Sequence, residues 1–173
     1  MPMTLKSNLC ALLMTVAGLA FGGHLALAAV LAKTGTFDFV GKYVHGYVSF
    51  EHAGKIVVGG PLKGTMTVGE SEGELFPAGG SSESICLAFG KKSDDGTELE
   101  AACSYTDEDG DSWYTTAKRI VGDTNDGGGG EGKLKFVGGT GKYKRLNGSC
   151  TYMAEYKPYN EVVVTGSCTW DRV

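Results

Sequence analysis

The chain has 173 residues, 28 of them Gly and 4 Pro, and is 42% hydrophobic and 10% aromatic. That length suits one domain, and the apolar share excludes general disorder. Sixteen Lys and Arg against 20 Asp and Glu give a formal charge of −4, which excludes a nucleic-acid backbone as partner, because such proteins need a basic face.

The start of the chain reads as an address. Lys6 is the one charge before an apolar stretch at 9–21, and Ala26-Leu27-Ala28 supplies small residues where a signal peptidase reads. Gly22, Gly23 and His24 interrupt the apolar run before the ~20 residues that a membrane span needs. The expected organisation is a signal peptide over 1–28, cleaved after Ala28 or Ala29, and a single domain over 29–173. The protein is expected to be exported, periplasmic or extracellular, with no stable membrane span after cleavage. Cys10 lies inside the apolar stretch and leaves with it.

Beyond Ala32 no helical stripe is sustained. Period-two alternation with β-branched and aromatic residues recurs instead, broken by Gly turns. In chain order the predicted strands are 36–40, 43–51, 55–58, 62–69, 84–91, 98–106, 112–121, 133–137, 148–157 and 161–171. Some of the early ones merge into single bent strands, giving about eight. Segments 70–83 and 122–130 read as polar, Gly-rich connections. Many short strands with Gly turns specify a sandwich or a barrel.

The last two strands fix their own register. Lys157-Pro158-Tyr159-Asn160-Glu161 is a turn by its Pro and Asn. Folding the chain about Tyr159 sets Cys150 opposite Cys168, Tyr152 opposite Gly166, Ala154 opposite Val164 and Tyr156 opposite Val162, with Trp170 on the same face. One face is then apolar and the other polar, as a strand pair covering a core requires. Upstream, a fold about Asp94-Asp95 sets Cys86 opposite Cys103, whereas a primed turn at Asp95-Gly96 sets Cys103 opposite Ala88. Four Cys in an exported chain imply two disulfides. Cys86–Cys103 with Cys150–Cys168 is the favoured pairing of the three that four cysteines allow.

Candidate sites are few. Asp107-Glu108-Asp109-Gly110-Asp111 crowds four carboxylates into five residues, with Asp107, Asp109 and Asp111 the candidate cation ligands. It lacks the later bidentate Glu of a calcium loop and reads as an exposed acidic turn, so no metal site is expected. Gly127 to Gly130, and Gly138-Gly139-Thr140-Gly141-Lys142, lack the following helix and Lys-Ser/Thr ending of a phosphate loop. Tyr43, His45 and Tyr47 alternate onto one face, where His45 is a polar handle for a flat or apolar ligand. Tyr105, Trp113, Tyr152 and Trp170 complete the candidate ligand-binding set. Glu51 and His52 point to opposite faces of a strand and are discounted as an acid–base pair. There is no G-x-S-x-G nucleophile elbow. No cofactor is expected.

Segment 136–152, Phe-Val-Gly-Gly-Thr-Gly-Lys-Tyr-Lys-Arg-Leu-Asn-Gly-Ser-Cys-Thr-Tyr, resembles one found in allene oxide cyclases, dirigent proteins and related exported bacterial proteins. There a strand ends in Val-Gly-Gly-Thr-Gly, Lys and an aromatic follow, and a Gly-started strand returns. Gly138 and Gly139 permit a sharp exit, Tyr143 anchors the corner and Gly148 restarts the sheet. The resemblance implies an eight-stranded antiparallel barrel with an inner cavity. Its plant members act on hydrophobic or phenolic substrates and form trimers. No catalytic residue of those enzymes is carried over.

The expected fold is therefore all-β: a single antiparallel barrel of about eight strands, calycin-like or allene oxide cyclase-like, stapled by disulfides. The expected role is non-catalytic binding of a small apolar or aromatic ligand. Alternatives are a structural or interaction barrel with a filled core, self-associating as a homo-oligomer, and a cyclase- or dirigent-type enzyme acting by confinement.

Overall fold

A computed structural model describes residues 33–119 and 121–172, and the expected signal peptide lies outside them. Nine strands are β1 (Thr34–His45), β2 (Val48–His52), β3 (Lys55–Glu72), β4 (Ser81–Ser93), β5 (Gly96–Asp107), β6 (Ser112–Arg119), β7 (Gly129–Gly139), β8 (Leu146–Lys157) and β9 (Glu161–Arg172). All neighbours are antiparallel, and β1 pairs with both β9 and β3. Eight strands thereby close into a barrel, with β2 an additional strand on the first turns of β3. Closure leaves each barrel strand paired on both sides, so the wall itself has no free edge.

The merging of early strands takes a definite form. Segments 55–58 and 62–69 are one strand, β3, which bends at Gly59-Gly60-Pro61. The predicted strand 43–51 divides at Gly46-Tyr47 instead, into the end of β1 and β2. Gly46 N–H donates to the Pro61 carbonyl at 2.8 Å, tying the division to the bend.

Both hairpin registers follow the cysteines. Cys150 faces Cys168, Tyr152 faces Gly166, Ala154 faces Val164 and Tyr156 faces Val162. Cys86 faces Cys103, with Ser93 opposite Gly96 across the Asp94-Asp95 turn, so the primed turn at Asp95-Gly96 is not used. Both disulfides form, each joining directly opposed residues with Cα atoms 4.0 Å apart. All four cysteines are buried.

Alternation sends one face of each strand inward. On β6, Trp113, Thr115 and Arg119 are buried while Tyr114, Thr116 and Lys118 are exposed. The outer wall is not uniformly polar. Ile85, Leu87 and Phe89 point outward along β4, at 52, 67 and 58% exposure.

The connection 70–83, expected to be merely polar, is a plug. Leu75 and Phe76 fold into the barrel end and are 4 and 2% exposed. The Phe76 ring stacks on Phe37 at 4.3 Å, meets Trp113 edge-on at 5.6 Å, and lies 5.3 Å from Tyr143 and 6.0 Å from Trp170. The Ser71 hydroxyl and the pairing of Gly79 and Gly80 with Val68 hold this loop to β3.

Candidate functional site

The barrel interior divides into two halves. Around the plug, Phe37, Met66, Trp113, Phe136, Tyr143, Leu146 and Trp170 pack into a continuous aromatic core. Toward the other end, inward side chains become small. Ala88 on β4 lies opposite Ala101 on β5, and Ala101 lies opposite Ala117 on β6. Three consecutive strands thus present alanine at one level, and Ala154 on β8 adds a fourth small side chain elsewhere in the lining. Alanine fills little of a barrel that large side chains fill elsewhere, so a void remains.

That void is a cavity of about 80 Å³, half enclosed and predominantly apolar. Its wall includes Phe39, Tyr43, Leu62, Leu99, Tyr105, Leu134, Tyr152, Tyr156, Val162 and Val164 besides the alanines. The Cys86–Cys103 disulfide stands at its edge. Gly132 sits opposite Tyr152 on the neighbouring strand. A side chain on Gly132 would collide with the Tyr152 ring, so glycine there lets the phenol lie flat across the wall.

Four of the seven expected ligand-binding residues line the cavity: Tyr43, Tyr47, Tyr105 and Tyr152. His45 stands at the rim. Its ring lies 4.4 Å from that of Tyr47 and meets Tyr156 edge-on at 5.6 Å, and its Nδ1 accepts the Tyr47 N–H at 3.3 Å. Trp113 and Trp170 belong to the plugged half. Trp113 still touches the site indirectly, because the Tyr105 ring stacks on it at 3.8 Å and 4°.

Burial sets the protonation of these groups. It pushes Tyr43 and Tyr105 up, with the two phenols' mutual hydrogen bond a smaller influence on each. Burial likewise raises Tyr152, and raises Tyr47 with help from its neighbour Tyr156. All four remain phenols at neutral pH, so the cavity wall carries neutral hydroxyls rather than phenolates. Burial pulls His45 down, against the opposing charge of Asp126, which favours the neutral ring.

Two interior features escaped the sequence reading. Arg119 is 1% exposed and lines the cavity, its guanidinium 5.5 Å from the centroid of the Tyr156 ring. The alternation of β6 contains this signal, since Arg119 shares a face with Trp113 and Thr115. The alanine level is the other, and each alanine alone looks unremarkable in the chain.

The acidic run is joined to the glycine corner at the opposite end of β6. Asp107 Oδ1 accepts the N–H groups of Asp109 and Asp111, both at 3.0 Å, which shapes the turn. Its Oδ2 accepts the Tyr143 hydroxyl at 3.0 Å and pairs with Lys142 Nζ at 2.7 Å, while Asp109 pairs with the same ammonium at 2.7 Å. Asp111 accepts the Lys142 N–H at 3.0 Å. Burial works to raise Asp107, but hydrogen bonds from Lys142 and Tyr143 outweigh it and hold the carboxyl below the ordinary range. Lys142 occupies the place a cation would take, and no cluster of metal-ligating side chains stands among the described residues.

Fold and cavity together define a closed, disulfide-bonded, eight-strand antiparallel barrel with one packed end and one hollow end. No protein-family model matches the chain, and no curated protein does. Among solved structures it is similar to the pterocarpan synthase dirigent protein GePTS1, at 14% identity and a TM-score of 0.48 over 82% of this chain and 92% of that one. It is similar to the pterocarpan synthase dirigent protein PsPTS1 at the same identity and score, over 82% of this chain and 97% of the other. At this level the likeness concerns the path of the chain and says nothing of a reaction.

Proposed function

We propose that the protein is an exported barrel that binds a small apolar or aromatic molecule in its hollow end without transforming it. The observation that carries this reading is the alanine level shared by β4, β5 and β6, which keeps open an apolar void that Leu or Val would fill. The cavity volume is about half that of an engineered cavity that holds benzene, on the order of 150 Å³. A ring-sized ligand would therefore be only partly enclosed, its remaining atoms lying among the tyrosines of the mouth. Phenols held in their protonated form suit orientation by hydrogen bonding better than proton abstraction, which favours binding over catalysis. Two disulfides and the predicted signal peptide support export.

Titration with p-cresol, read by tryptophan fluorescence, tests the proposal. Trp113 is the reporter, through its stack on Tyr105. The wild-type protein is expected to give a saturable change. Ala101→Leu fills the centre of the alanine level and is expected to weaken binding by about tenfold or more. Its stability should change by no more than about 1–3 kcal/mol, the range for added bulk in a core. A wild-type protein with no saturable response would refute the binding role.

A further inference from the structure

A buried charge with no ion-pair partner among the described residues stands in the hollow end. The Nε and Nη2 atoms of Arg119 are inaccessible to solvent and have no hydrogen-bond partner. No ion pair among the described residues involves Arg119. Segment 1–32 contains no Asp or Glu side chain that could supply one. The neighbouring groups are phenols, and Tyr47, Tyr152 and Tyr156 offer a ring face or a hydroxyl rather than a negative charge. The backbone presses on the other side, since a side chain on Gly122 would come within 2.8 Å of Arg119 Nε. The guanidinium is thus confined beside the cavity that it lines.

Buried guanidinium groups are ordinarily matched by carboxylates, because removing a charge from water is costly unless an opposite charge and hydrogen bonds replace the lost hydration. The one carboxylate on the cavity's lining, Glu100, is exposed on the outer face of β5 and paired with Lys118 at 2.9 Å, so the partner of Arg119 is expected to come with the ligand. The planar fork of a guanidinium fits a carboxylate through two parallel N–H···O bonds. Apart from Glu100, turned outward, the rest of the cavity is alanine, valine, leucine, cystine and aromatic surface, which suits a hydrocarbon body and not a bare inorganic ion. We propose that the ligand is a small organic monocarboxylate, its carboxylate held by Arg119 and its apolar body seated against Ala88, Ala101 and Ala117. This deepens the binding role proposed above and rests on it.

Calorimetric titration of the mature, disulfide-intact chain with benzoate and with benzyl alcohol tests the assignment, because the two probes share a ring and differ in charge. The wild-type protein is expected to bind benzoate about tenfold or more tighter than benzyl alcohol. Arg119→Met should remove that preference, so that benzoate binds no tighter than benzyl alcohol, and Arg119→Lys should keep part of it. Inorganic phosphate at equal concentration should not displace benzoate. Equal affinities for the two probes in the wild type would overturn the role of Arg119 and leave the cavity's binding role standing. Undiminished benzoate preference in Arg119→Met, or displacement by phosphate, would overturn it as well. Binding of neither probe, nor of p-cresol, would remove both proposals together. If Arg119→Met does not fold, the wild-type comparison and Arg119→Lys still decide.

Discussion

Replacing Phe76 with Ala is expected to lower the unfolding free energy by about 3–5 kcal/mol, the range for deleting a fully buried Phe. The ring is 2% exposed and touches Phe37, Trp113, Phe136, Tyr143 and Trp170. Those partners come from β1, β6, β7, β9 and the corner before β8, so no single neighbour can move to fill the space. The indole nitrogens of Trp113 and Trp170 have no hydrogen-bond partner, and water admitted by the substitution would reach them, offsetting a fraction of the loss. Urea unfolding should show a lower midpoint with little change in slope, because the same surface is exposed on unfolding. A loss below about 1 kcal/mol would mean that the loop lies outside the barrel.

Converting Cys150 and Cys168 together to Ala is expected to cost about 3 kcal/mol, through the freedom returned to an unfolded chain whose two cysteines are 18 residues apart. The folded register should survive. Twelve paired positions join β8 to β9, and the inward alternation of Tyr152, Ala154 and Tyr156 selects that register without the sulfurs. The variant should therefore unfold cooperatively at lower denaturant and show an unchanged strand spectrum. Loss of folding altogether would mean that the disulfide, not the apolar face, specifies the hairpin. Cys86–Cys103 is the useful comparison, because it closes 17 residues over the equally regular pairing of β4 with β5.

Hairpin geometry was legible because two signals coincided in it. Residue alternation and cysteine position both demanded that 150 face 168, and both were local. The plug was hidden for the opposite reason. Leu75-Phe76 lies in a segment dominated by Gly, Glu and Ser, and its burial depends on partners as far along the chain as Phe37, Trp113, Phe136 and Trp170. Alternation says which face a residue takes, and by that rule Arg119 could have been placed inside from the sequence of β6. It does not say at what height along the barrel the residue stands. Height follows from the registers of all the strands at once: the cysteine register already sets Ala88 opposite Ala101, but no local signal announces the pairing that brings Ala117 beside them. The same limitation divided the aromatic candidates. Tyr105 and Trp113 share a face and stack, yet one borders the hollow half and the other the packed half.

The acidic run and the glycine corner show how a segment's meaning changes with its partner. Alone, Asp107-Glu108-Asp109-Gly110-Asp111 suggests a cation. Beside Lys142 and Tyr143 it is the other half of a charged clasp, which closes the turn between β5 and β6 onto the corner between β7 and β8. The clasp stands at the packed end, whereas Arg119 stands at the hollow end with no such partner among the described residues. One barrel therefore holds one arrangement of charges mutually satisfied and, under the proposal above, another that awaits a ligand.

Diffraction from crystals of the barrel, residues 29–173, under xenon pressure tests the two-halved interior most directly, since xenon occupies apolar voids and reports their position. The expected result is a xenon site between Ala88, Ala101 and Ala117, with none around Phe76. Xenon beside Phe76, or a hollow end already filled by protein side chains, would contradict the account.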